Sequence, residues 1–111
     1  MGYKLKSLIN YNNDSDDPFS KLFCKINEYT CQIERACYDC ERGIHRDVCG
    51  DIISATHNAR NEIRKAKILN RPFIKDLYED LKRIRNKCKN GECQKVKNLL
   101  GKCERIIRFY I

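Results

Sequence analysis

A chain of 111 residues with a formal net charge of +8 and eight cysteines has room for a single domain around one modest core. It holds no apolar run near the roughly 18 residues of a membrane-crossing helix, and no h-region of a signal peptide. So many thiols in so short a chain approach the density of disulfide-stapled secreted domains, and a cytosolic protein rarely carries them without a metal use. A secreted, extracellular protein would then be present here in mature form behind an added initiator Met. Gly2 invites N-myristoylation, but Lys6 stands where Ser or Thr is wanted.

The first 17 residues read as a flexible polar arm, and residues 18–111 as one helical, cysteine-rich domain. Within the arm, Tyr11 to Pro18 is a cluster of turn formers without apolar period, containing the sequon Asn13-Asp14-Ser15. Asp17 can cap a helix and Pro18 suits its first position. Phe19, Leu22, Phe23, Ile26, Thr30, Ile33, Cys37 and Cys40 then recur at threes and fours, which predicts a helix over residues 18–42, ended by Gly43. With Asp47 as cap, Val48, Ile52, Ala55, Ala59, Ile63, Ala66 and Leu69 mark a second helix, broken at Asn70-Arg71-Pro72. Phe73, Leu77, Leu81, Ile84 and Cys88 mark a third, stopped by Asn90-Gly91. Cys93, Val96, Leu100, Cys103, Ile107 and Tyr110 mark a fourth. Nothing alternates with period two. The expectation is an all-α fold, a small disulfide-stapled bundle of about four antiparallel helices, with three helices, one of them kinked, as the alternative.

Charge is divided unevenly along these elements. Residues 1–59 carry 7 Lys/Arg against 9 Asp/Glu, and residues 60–111 carry 16 against 6. One half is thus −2 and the other +10. Arg60, Arg64 and Lys67 form a stripe on the second helix. Arg71, Lys75, Lys82 and Lys89 form another on the third, opposite its apolar face. Any one of these residues alone reads as part of a solvated face. Together they point to an acidic partner, a protein surface. Tyr78, Phe109 and Tyr110 sit mostly at core spacing rather than where bases would stack.

The stretch from Cys37 to Cys49 admits two readings. Cys37, Cys40, His45 and Cys49 follow C-x2-C-x4-H-x3-C. This resembles the retroviral-type zinc knuckle, which implies a metal-dependent grip on single-stranded nucleic acid. The last gap is one residue shorter than in that family, Glu41 stands where a Gly is usual, and five cysteines are left without a second ligand set. Stapling instead accounts for all eight. On a helix, Cys24 and Cys31 lie together and about 120° from the Cys37/Cys40 stripe, so one helix offers sulfurs in two directions. Levels in an up-down bundle suggest Cys24–Cys103, Cys31–Cys93, Cys37–Cys88 and Cys40–Cys49, among the many pairings that eight cysteines permit. No metal or other cofactor is then needed, and His45 is an ordinary loop residue. With no free thiolate, no Gly-rich phosphate loop, and His57 without a partner in view, no catalytic residue is expected.

Cys37-Tyr38-Asp39-Cys40 also resembles the Cys-Tyr-Cys signature of the bicycle proteins, secreted salivary effectors of gall-forming aphids. The enrichment in Asn, Lys, Ile and Tyr suits an AT-rich insect genome. The order C-x12-C-x2-C followed by C-x4-C-x9-C is similar to helical arthropod toxins derived from neuropeptides. Both resemblances imply a secreted binding protein without enzymatic activity.

Overall fold

The computed structural model describes residues 18–42 and 48–111. The polar arm with its sequon, the caps Asp17 and Asp47, the helix stop Gly43, and His45 lie outside the described residues. Four helices follow in chain order: α1 Pro18–Glu41, α2 Val48–Ala66, α3 Ile74–Lys89 and α4 Cys93–Tyr110. No strand occurs among the described residues, and none of the helices is long and apolar enough to cross a membrane.

Each helix turns one stripe inward. Phe23, Ile26, Ile33, Ala36 and Cys37 come from α1; Ile52, Ala55, Ala59 and Ile63 from α2; Ile74, Leu77, Leu81 and Ile84 from α3; Val96, Leu100, Cys103 and Ile107 from α4. Burying a large aliphatic or aromatic side chain contributes about 1.5–3 kcal/mol. The helices α1 and α3 each pack on both α2 and α4, and no Cα atoms of a diagonal pair come within 8 Å. Cross-links fix the directions. Lys97 bonds Glu41 at one end of the α1–α4 pair, while Tyr110 stacks on Phe23 at the other, so α1 and α4 run antiparallel. The expected up-down bundle is therefore present as a square of four helices.

Three polar side chains are buried with partners. Thr30 and Thr56 each donate to the carbonyl three residues back, Asn27 and Ile53 respectively, at 2.8 Å. Asp80 accepts from Arg83 at 2.7 Å. A buried hydroxyl or carboxylate without such a bond would cost the fold its full desolvation.

Five expected core positions are corrected. Lys67 adopts a left-handed backbone (φ 56°) and closes α2 by donating its N–H to the Arg64 carbonyl. The helical phase therefore ends before Leu69, which is 41 % exposed, and Ile68 is buried instead. Phe73 is also left-handed (φ 67°) and stands just before α3; it is 53 % exposed, and Ile74 begins the buried stripe. Cys40 in the last turn of α1, Ala66 at the end of α2 and Cys93 at the start of α4 are exposed as well. The Asn90-Gly91 stop behaves as its residues demand. Gly91 takes φ 75°, and the N–H groups of Gly91 and Glu92 return to the carbonyls of Cys88 and Lys87.

Candidate functional site: a cationic band and a cysteine-lined end

The two basic stripes meet at a residue that helical spacing alone had assigned to the core. Tyr78 of α3 is only half-buried and leans on α2. The Arg60 guanidinium lies over its ring, 4.0 Å from the centroid, and Arg64 donates to its hydroxyl at 2.7 Å. Arg60 is itself half-buried, and its Nε has no hydrogen-bond partner. Lys75 and Lys82 share the outer side of α3 with Tyr78, and Lys89 continues that side one turn past Arg85. The result is one band across the α2–α3 seam.

Ion pairs draw several carboxylates to lysines and arginines outside the band. Glu62 engages Lys25 and Lys65, Asp80 engages Arg83, Glu92 engages Lys87 and Lys95, and Glu41 engages Lys97. None of these carboxylates reaches Arg64, Lys75, Lys82 or Lys89, all of which are exposed. Lys67 is exposed at the end of α2. Arg71 is a correction: it precedes α3, and its guanidinium sits 5.3 Å from the Phe19 ring of α1, so it turns away from the α3 stripe.

Beside the start of α3, the bundle ends in aromatics. Phe19, Phe23 and Tyr110 form one cluster, and the Tyr110 hydroxyl donates to the Pro72 carbonyl. Phe73 and Phe109 meet edge to face at 5.4 Å and remain exposed, as do Leu69 and Ile111. Sequence reasoning missed this exposed apolar cluster because it counted Phe73 and Leu69 into core stripes.

Five cysteines gather at the opposite end. Cys37 and Cys40 close α1, Cys49 opens α2, Cys88 closes α3 and Cys93 opens α4; all five line one small cavity of about 140 Å³ over Val48, Ile52 and Val96. The Cys88 thiol donates to Cys49 with the sulfurs 3.0 Å apart, and the sulfurs of Cys40 and Cys93 are 3.5 Å apart. Burial, followed by the bond it donates to Cys49, pushes the Cys88 thiol up to about 12. The contact with Cys93 likewise raises the Cys40 thiol. Burial, then the neighbouring Cys93 and Cys40, pushes Cys37 up to about 11.

No family model, no curated protein and no solved structure matches the chain.

The cysteines meet in a different arrangement from the expected Cys24–Cys103, Cys31–Cys93, Cys37–Cys88 and Cys40–Cys49. Cys24 is exposed on α1 while Cys103 is fully buried in the core, and no contact joins them. Cys93 faces Cys40 rather than Cys31, and Cys49 faces Cys88 rather than Cys40. Cys37 shares the cavity with Cys88 but makes no sulfur contact with it. The reason is helix rotation: the α2–α3 and α1–α4 interfaces, not the corners, bring these sulfurs together. For the knuckle set, Cys37 and Cys40 remain inside α1, Cys49 lies across the cavity, and His45 is outside the described residues. Among the described residues no group of three or more His, Cys, Asp or Glu is placed to hold a metal ion.

Proposed function

We propose that the protein is a secreted effector that acts without catalysis, by binding an acidic protein surface through its cationic band. The observation that carries this reading is the bracket of Arg60 and Arg64 around Tyr78, which merges two separate stripes into one surface. Lys75, Lys82 and Lys89 extend that surface; Glu79 flanks them on α3, but among the described residues no ion pair holds any of the three. The exposed Phe73–Phe109 pair lies near the Lys75 end and supplies the apolar anchor that protein interfaces use as a hot spot. Secretion is supported by the cysteine density and by sulfurs held close enough to pair. The Cys37-Tyr38-Asp39-Cys40 resemblance to the bicycle effectors points the same way, and Tyr38 is exposed.

The test is a salt series with two probes of equal charge, poly-glutamate and oligo(dT), against wild type and the triple variant Lys75→Glu/Lys82→Glu/Lys89→Glu. Preference for the peptide, lost in the variant through slower association, supports the reading. Preference for the oligonucleotide with a steep salt slope, abolished by a chelator, would instead establish the zinc-knuckle alternative built on Cys37, Cys40, His45 and Cys49.

A further inference from the structure

We infer that the cysteine-lined end is closed covalently by two disulfides, Cys40–Cys93 and Cys49–Cys88, so that all four helix ends form one ring around Cys37. The geometry carries this through connectivity. At this end the chain already joins α1 to α2 and, through residues 90–92, α3 to α4. The two close sulfur pairs join the remaining neighbours, α4 to α1 across 53 positions of sequence and α2 to α3 across 39. Chain and sulfur links alternate around the square. Pairing across the corners, Cys40 with Cys49 and Cys88 with Cys93, would only duplicate links the chain already makes and leave the two halves of the bundle untied.

The chemistry balances with a small-molecule disulfide such as glutathione disulfide as oxidant. A thiolate of one cysteine attacks it, forming a mixed disulfide and releasing one glutathione. The partner thiolate then attacks the protein sulfur, forming the bridge and releasing the second glutathione. Each bridge costs the protein two electrons and two protons. Cys40 and Cys93 are exposed, so they react first; Cys49 and Cys88 are half-buried and follow. Cys37 is 5 % exposed and lacks a sulfur contact, so it stays a thiol. The inference draws on the proposed function only for where the oxidant is met.

Peptide mapping of the full chain tests it. The reduced protein is equilibrated in a glutathione redox buffer, alkylated while native, and alkylated again with a second reagent after denaturation. Cleavage at Asp39 separates Cys37 from Cys40, and cleavage at Lys89 separates Cys88 from Cys93. The expected products link Cys40 to Cys93 and Cys49 to Cys88, with Cys37 carrying only the second label. A Cys40–Cys49 link, any bridge containing Cys37, or four unbridged thiols at equilibrium would overturn the ring. As a second check, Cys93→Ser should add Cys40 to the thiols alkylated in the native state, among them the exposed Cys24, and keep the Cys49–Cys88 bridge. Release of Cys49 in that variant would overturn the assignment independently, and neither result depends on what the band binds.

Discussion

Arg60 holds its guanidinium 4.0 Å from the centre of the Tyr78 ring, and Arg64 bonds the same residue's hydroxyl. One tyrosine thus serves two arginines by different physics, and the two contributions are separable. Tyr78→Phe removes the hydrogen bond and keeps the ring, at a cost of about 0.5–1.5 kcal/mol. Tyr78→Leu also removes the cation–π contact, about 0.5–1 kcal/mol more at a partly exposed site. Urea unfolding midpoints should fall in the order wild type, Phe, Leu; equal values for Phe and Leu would show that the ring face contributes nothing.

Two phenylalanines at the aromatic end should respond in opposite ways. Phe23 is fully buried between Phe19 and Tyr110, so Phe23→Ala should destabilise by about 3–5 kcal/mol. Phe109 is 64 % exposed and meets Phe73 and Tyr110 only in perpendicular contacts, so Phe109→Ala should cost about 1 kcal/mol or less. If Phe109 is the apolar anchor, the same change should weaken partner binding far more than it lowers the melting temperature.

Oxidation should change stability much more than any surface substitution. The first bridge to close spans several dozen residues, for which chain entropy gives about 3–4 kcal/mol. The second closes an already shortened loop and adds less. Thermal melts with and without reductant should differ by well over 10 °C on this estimate for a domain of this size. Melts that coincide would show that the core alone suffices.

Stability of the reduced chain should fall at alkaline pH. Burial raises Cys37 from 9.0 to about 11 and, together with the bond to Cys49, raises Cys88 from 9.0 to about 12. Cys103, fully buried near Asp80 and Glu104, is raised as well. A thiol held protonated by the fold stabilises it fully below its unfolded value, and that contribution is lost as pH rises through the folded one. Unfolding midpoints should thus hold steady to about pH 9 and drop steadily toward pH 11. With the ring closed, Cys88 has no proton to lose, so the oxidised chain should drop less steeply. Parallel curves for the two forms would contradict the Cys49–Cys88 assignment.

The helices were legible because amphipathic period is a local signal, and Ile26, Ile63, Leu81 and Ile107 all turn inward as their spacing requires. Leu69 and Phe73 were misread because period counting cannot see where a backbone turns left-handed, as it does at Lys67 and Phe73. The basic residues were visible, but their union was not. It depends on how far α2 is rotated against α3, which one sequence does not encode in any short stretch. Sulfur partners failed for the same reason: level along the bundle is readable from loop lengths, whereas azimuth is set by packing.

The bundle's first described residue, Pro18, and its last, Ile111, both emerge at the aromatic end, while Cys40 and Cys93 sit at the far one. Under a pulling force applied to those ends, α1 and α4 would peel apart like the two sides of a zipper, loading one contact after another rather than shearing many at once. With the Cys40–Cys93 bridge in place the opening stops there. The extensible path is then only Pro18 to Cys40 and Cys93 to Ile111, on the order of 140 Å at 3.3–3.6 Å per residue. With both bridges reduced the same pull should unravel residues 18–111 to on the order of 300 Å. A single-molecule extension trace would show the difference as a hard stop that reductant removes.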